Sequence, residues 1–142
     1  EKDRDRELRR LKREVVEELV DLFMQTGQVR NRSKFARDLW NREKQASTAV
    51  GEGVAVPHVR SMQPRKLGIV FARSHEGVVY AAPDGKPVHL FFGLTAPPYD
   101  DRTYLQFYKW IAQSFLQADW LGPALLEAQD EHEIIGILSS LP

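Results

Sequence analysis

Val50-Gly51-Glu52-Gly53-Val54-Ala55-Val56-Pro57-His58-Val59-Arg60 sets a short apolar run between two turn glycines and a proline, and delivers a histidine directly after the proline. Val54 and Val56 alternate as they would along a short, half-buried strand. Gly51 and Gly53 permit left-handed backbone and a close approach of the chain. Pro57 fixes φ and has no amide hydrogen, so it ends a strand ladder. His58 is therefore expected at a strand end, held stiffly, with Arg60 two residues beyond it.

Working outward, the pattern turns helical on both sides. Leu8, Leu11, Val15, Leu19, Leu22 and Phe23 recur at three- and four-residue spacing, which predicts one amphipathic helix over residues 1–26, ended by Gly27. Ser33 is the expected cap of a second helix reaching about Lys44, with Phe35, Ala36, Leu39 and Trp40 on its inner face. Strands are predicted at 49–50, 54–56, 67–72, 78–81 and 88–94, punctuated by glycine and proline. After Pro97-Pro98 a helix returns, with Tyr104, Leu105, Tyr108, Ile111, Ala112, Phe115 and Leu116 as its stripe. Phe107 and Trp110 fall off that stripe, as a docking patch or as cover for a neighbouring helix. Two short helices follow, the second opened by a capping box of Asp130 and Glu133. Helices before and after a central group of strands predict an α/β domain in which helices cover a mixed sheet.

At 142 residues a single domain is expected. Residues 1–11 read as a charged helical lead-in or linker, and residues 12–142 as the domain. Lys plus Arg and Asp plus Glu both number 20, so no net field draws the chain to nucleic acid or an anionic membrane. No apolar run reaches bilayer length and no secretory pattern is seen, so the expectation is a cytoplasmic protein without membrane insertion or nucleic-acid partners. Cysteine is absent, which excludes disulfides, thiolate metal sites and a cysteine nucleophile. His75, His89 and His132 make no metal-ligand spacing with one another or with carboxylates, so neither metal nor cofactor is expected.

His58 carries the chemistry. An imidazole, with an ordinary pKa near 6.5, is largely unprotonated at neutral pH and also leaves well once phosphorylated. A reactive ring needs its second nitrogen held by a backbone carbonyl or carboxylate, which sets the tautomer and aims the other nitrogen outward. Phosphoryl oxygens need positioned donors, and Arg60 is a candidate by proximity.

The stretch resembles the phosphorylation site of enzyme IIA of the phosphoenolpyruvate-dependent phosphotransferase system, in the fructose/mannitol branch that includes nitrogen-regulatory relatives. Glu43, Val50, Gly51, Val54, Ala55, Val56, Pro57 and His58 fill that family's pattern in register. Val59 stands where the family usually has a small residue. Arg42-Glu43, Ser47-Thr48 and the run from Asp84 to Pro97 extend the likeness, which covers the chain from about Lys12 to Leu141. The resemblance implies a three-layer α/β/α sandwich with a central mixed sheet flanked by helices. It implies that His58 accepts a phosphoryl group from the phosphocarrier protein HPr and passes it to an enzyme IIB. It makes Arg42 a phosphate-binding residue, and Ser47 and Thr48 either hydroxyl donors to the site or partners of backbone at the end of the second helix.

One position departs from the family. A second histidine, followed by leucine, opens its helix after the Ala-Pro loop, and this chain has Tyr104-Leu105. A phenol donates one hydrogen bond to a phosphoryl oxygen but supplies no cation near neutral pH. Tyr104 thus reads either as a site residue or as packing at a helix start. Two functions stay open: a phosphocarrier coupled to sugar uptake, or a regulatory module that controls a partner protein with reduced or no phosphotransfer. Tyr104 and the charged lead-in favour the second, and a folded descendant that no longer accepts phosphate is a third.

Overall fold

A computed structural model of the chain describes residues 2–142; Glu1, the first residue of the expected lead-in, lies outside them. The elements run α1 (Lys2–Gln25), α2 (Arg32–Gln45), β1 (Ala49–Gly51), β2 (Val54–Ala55), β3 (His58–Arg60), β4 (Gly68–Val78), β5 (Val88–Ala96), α3 (Arg102–Gln117), α4 (Leu121–Glu127) and α5 (Glu131–Ser139). Helix α1 crosses the expected boundary between residues 11 and 12 without a break.

Strand β5 is the axis of the sheet. Its residues are almost all buried because helices cover both faces, which is why its run reads as continuous apolar sequence. Strand β4 pairs with it antiparallel along one edge. On the other edge β2 and β3 both pair with β5 in parallel, Val54 opposite Leu90 and His58 opposite Leu94. The offset is the same in both, so β2 and β3 are one strand interrupted at Val56-Pro57. Strand β1 lies outside β2, antiparallel, joined by the Gly51-Glu52-Gly53 turn, where all three residues have positive φ. The sheet is therefore mixed, with β5 between the broken strand and β4.

Helices α1 and α2 cover one face. Val16, Val20, Phe23, Phe35 and Leu39 pack there, with Leu19 resting on Ala55, Tyr80 and Phe91. Gly93 makes this possible, since a Cβ on it would lie 2.7 Å from Val70 and 3.0 Å from the ring of Phe23. Helices α3, α4 and α5 cover the other face, where Val54, Val56, Leu90, Phe92 and Leu94 meet Tyr104, Ile111, Phe115, Leu121 and Leu125. The architecture is the three-layer α/β/α sandwich.

Several local expectations are corrected. Val54, Ala55 and Val56 are all buried, because this strand lies inside the sandwich rather than on a half-wet sheet. The strand expected at 78–81 is absent: β4 runs on to Val78, and Ala81 then takes a left-handed φ of 53° that no strand accommodates. Asn31, not Ser33, caps α2, its Oδ1 accepting from the amide of Lys34 at 3.0 Å. In α1 the most buried residues are Val16, Leu19, Val20 and Phe23, so the inner face is turned from the expected stripe. On α3, Leu105 and Leu116 are 52% and 71% exposed, which leaves Tyr104, Ile111 and Phe115 buried and Tyr108 and Ala112 half-buried in the stripe. Phe107 and Trp110 are half-buried against the same layer, and the Trp110 indole donates to the carbonyl of Pro142 at 2.8 Å. Asp130 caps α5 as expected, while Glu133 reaches back to the amide of Gln129, one residue before the cap.

The phase of α3 is open to direct measurement. Ile111→Ala should lose about 2–5 kcal/mol by leaving a cavity under the helix, whereas Leu116→Ala should stay within about 0.5 kcal/mol. Equal losses in urea unfolding would mean that the helix is rotated from the orientation described.

Candidate functional site

The broken strand builds the site. Pro57 has no amide hydrogen, and Val56 turns its own N–H away from β5 to the carbonyl of Thr48 at 3.0 Å. The ladder resumes where Leu94 donates to the carbonyl of Pro57 at 3.0 Å. His58 then opens β3, at a strand end as expected, half-buried, with its ring at the floor of a cleft of about 550 Å³. Arg42, Val59, Arg60, Pro98, Tyr104 and Leu105 line the rest.

The ring is pinned from both sides. Its Nδ1–H donates to the carbonyl of Val56 at 2.6 Å. That bond fixes the proton on Nδ1, so Nε2 is the unprotonated nitrogen in the neutral ring. Arg42 Nη2 lies 3.5 Å from Nε2, and Arg42 Nη1 donates to the carbonyl of Ala46 at 3.3 Å. Burial pushes the His58 pKa below 6.5, opposed by the bond to Val56; nearby Arg42 lowers it further and Glu43 raises it. The imidazole is thus neutral at physiological pH and presents a lone pair to the cleft beside a guanidinium.

Tyr104 is almost fully buried, its ring centroid 5.8 Å from that of His58. Burial drives its phenol pKa upward against the pull of Arg42 and Arg60, so it is a neutral hydrogen-bonding group. Arg60 is exposed at the rim, ion-paired with Asp101 at the start of α3, its guanidinium 5.9 Å from the centre of the Tyr104 ring.

Ser47 and Thr48 require a correction. Ser47 Oγ donates to the carbonyl of Tyr80 at 3.0 Å, and Thr48 Oγ1 donates to Glu43 at 2.6 Å. Neither residue lines the cleft, because the turn after α2 directs both hydroxyls to interior partners. The cleft brings together His58, Arg42, Arg60 and Tyr104, and leaves these two out.

Two contributors went unread in the sequence. Tyr108 sets its ring edge against His58 with centroids 4.9 Å apart; its signal is the four-residue step from Tyr104 on one helical face. Glu43 is 1% exposed and accepts from the Thr48 amide, the Thr48 hydroxyl, the Tyr80 hydroxyl and the Lys12 ammonium. Its signal was only its place in the motif register. Among the described residues no group of three or more His, Cys, Asp and Glu is arranged to hold a metal ion, and no helix is long and apolar enough to cross a membrane.

The family model described as "Phosphoenolpyruvate-dependent sugar phosphotransferase system, EIIA 2" matches residues 7–141. The chain is 34% identical over 128 residues to the fructose-specific EIIABC component of Bacillus subtilis, covering 90% of this chain but only 20% of that protein. It is 32% identical over 127 residues to the fructose-specific EIIA component of Haloferax volcanii, covering 89% of this chain and 82% of the relative. Among solved structures, nitrogen regulatory protein IIA-Ntr from Neisseria meningitidis superposes with a TM-score of 0.81 at 31% identity, covering 89% of this chain and 86% of that one.

The lowered pKa of His58 makes the fold sensitive to acid. The unfolded chain binds a proton at His58 near pH 6.5 and the folded chain only below it, so stability is lost as pH falls from 6.5 through the folded value. The stability difference between about pH 7.5 and about pH 5.5 should therefore be smaller in His58→Gln than in wild type. Parallel pH profiles in urea unfolding would show that burial of the neutral ring carries no such linkage.

Proposed function

Because the chain belongs to the EIIA 2 family of the phosphoenolpyruvate-dependent sugar phosphotransferase system, we propose that His58 is its phosphoryl acceptor, charged by phospho-HPr and discharged to an enzyme IIB. The observation that carries this reading is the bond from His58 Nδ1–H to the Val56 carbonyl, which leaves Nε2 as a lone pair facing the cleft. In the transfer, the Nε2 lone pair attacks phosphorus in line. The bond from phosphorus to the donor nitrogen breaks and its electrons return to the HPr imidazole. No proton has to leave His58, and no cofactor enters. The reverse geometry delivers the group to the next carrier; the presence of a stretch like this one inside a longer EIIABC chain supports an enzyme IIB as that carrier.

Arg42 stabilises charge on the phosphoryl oxygens through its guanidinium, and the Tyr104 phenol donates a neutral hydrogen bond. Arg60, bound to Asp101, acts at the rim as a weaker phosphate contact. On the same reading the protein works in the cytoplasm, and residues 1–11 are a charged helical lead-in to a domain at 12–142.

A regulatory module that controls a partner protein is the second reading. Tyr104 favours it, since a phenol in place of an imidazole removes a titratable cation from the cleft, and so does the 31% identity to a nitrogen regulatory protein.

Incubation with phosphoenolpyruvate, enzyme I and HPr, followed by intact mass measurement, tests both. Wild type should gain one phosphoryl adduct, labile in acid and stable in alkali, and His58→Gln none. Arg42→Ala should slow transfer roughly ten- to a thousand-fold, the scale of losing one preorganised donor. An unmodified wild type would end the carrier reading and leave the regulatory one.

Tyr104→His separates the two roles of the tyrosine. A faster transfer in this variant would mean that Tyr104 holds the rate down, as suits a regulatory domain. A slower one would make the phenol a working part of the site.

A further inference from the structure

The carboxylate of Glu43 is the most enclosed charge in the molecule's described part, and the carrier mechanism gives it no task. It accepts from four donors: the Thr48 amide at 3.1 Å, the Thr48 hydroxyl at 2.6 Å, the Tyr80 hydroxyl at 2.7 Å and the Lys12 ammonium at 3.3 Å. Two of the four belong to Thr48, so the carboxylate clamps the turn between α2 and β1. That turn supports both sides of the His58 ring. On one side, the Thr48 carbonyl accepts from the amide of Val56, whose own carbonyl holds His58 Nδ1–H at 2.6 Å. On the other, the Ala46 carbonyl holds Arg42 Nη1, leaving Arg42 Nη2 directed at His58 Nε2.

We propose that Glu43 is a positioning residue for phosphoryl transfer: acting through the Ala46–Thr48 turn, it sets the tautomer of His58 and the aim of Arg42. This rests on the reading of His58 as acceptor. Glu43 touches no phosphoryl group; it lies behind the site, and its effect passes through the turn's carbonyls. Buried ion pairs such as Lys12–Glu43 contribute little net stability compared with apolar packing, so stability alone gives a weak account of this group. A reactive ring, in contrast, gains from a rigid supporting shell, because small misplacements of reacting groups cost large factors in rate.

Glu43→Gln is the decisive change. The amide keeps the shape, but its NH₂ either faces the Thr48 N–H and Lys12 ammonium, donor against donor, or makes the Thr48 and Tyr80 hydroxyls turn from donors to acceptors. Two readouts are measured on this variant, on Thr48→Val and on Leu125→Ala. Leu125 is buried on the inner face of α4, apart from the turn, and serves as a destabilised control. The first readout is the tautomer of His58 from two-bond ¹H–¹⁵N correlations of the ring, which needs no phosphate. The second is the rate of transfer from phospho-HPr, resolved into kcat and KM.

Glu43→Gln should populate both ring tautomers and lower kcat by roughly ten- to a hundred-fold at similar KM, with Thr48→Val moving both readouts the same way by less. Leu125→Ala should melt earlier yet keep the wild-type tautomer and rate. A Glu43→Gln protein with a single Nδ1–H tautomer and an unchanged kcat overturns the proposal. If that variant does not fold, an unmoved tautomer and rate in Thr48→Val overturn it instead. If wild type takes no phosphate, the acceptor reading alone fails, and the tautomer comparison still decides whether Glu43 orients the ring.

Discussion

Pro57 cannot donate a hydrogen bond to β5, and much of the site follows from that missing donor. A parallel strand with every amide in its ladder would carry His58 through as an ordinary sheet residue. Here the chain leaves the ladder at Val56, passes Pro57 and re-enters in the same register at His58. The Val56 carbonyl, on the edge away from β5 beside its own N–H to Thr48, is left to hold the imidazole two residues on. The register on either side is kept because Val54, Val56, Leu90 and Leu94 are locked into the apolar layer under α3 and α4. A slip of one residue would turn them onto the α1 face, against a layer that is filled around Ala55 and Phe91. The packed core therefore specifies the ring's position, and the local break specifies its tautomer.

The opposite wall depends on a charge held in an unfavourable place. Glu43 lies near the C-terminus of α2, where the helix dipole disfavours an anion, and burial adds a desolvation cost. Four donors offset this, one of them the ammonium of Lys12 from the neighbouring helix. Burial, and then the carboxylate itself, push the Tyr80 phenol pKa upward, so Tyr80 remains a donor throughout the physiological range. Helix α1 thus does more than cover the sheet: its charged first half supplies the counter-ion for the network behind the cleft. The dense charge of the sequence around it conceals Lys12 as an inward-facing lysine.

The layered architecture was legible because its signals are periodic. Helical spacing on both sides of a strand-rich centre needs no tertiary information, and the motif register brought Arg42 and His58 to notice before any geometry. What stayed hidden depends on packing. Ser47 and Thr48 sit at motif positions next to Arg42-Glu43, and nothing in the sequence states that the turn directs their hydroxyls inward. Glu43 could not be seen as a clamp, since its donors come from residues 12, 48 and 80, which only the fold gathers. On α1 the apolar period picks out Leu8, Leu11, Val15 and Leu22, which are only half-buried, while Val16 and Val20 join Leu19 and Phe23 on the fully covered face. Leu105 and Leu116 show the same limit, as periodicity reports amphipathicity without saying how wide a face the neighbouring layer covers.

On the proposed reading Tyr104 stands where a second imidazole would, and its surroundings give that difference physical content. A phosphoryl group on His58 would bring about two negative charges into the cleft. Arg42 offers a guanidinium held by one neutral carbonyl, whereas Arg60 is paired with Asp101 at the exposed rim, which offsets part of its charge. A second imidazole could take up a proton and add a cation as the group arrives. Buried Tyr104, its phenol pKa raised, cannot; it offers one neutral hydrogen bond whatever the pH. A phosphorylated state in this cleft is therefore less compensated than one beside two imidazoles, and its charge extends further toward whatever docks on the rim. On the regulatory reading proposed above, that property suits a surface whose charge state is read by a partner, and it works against storing the group for long.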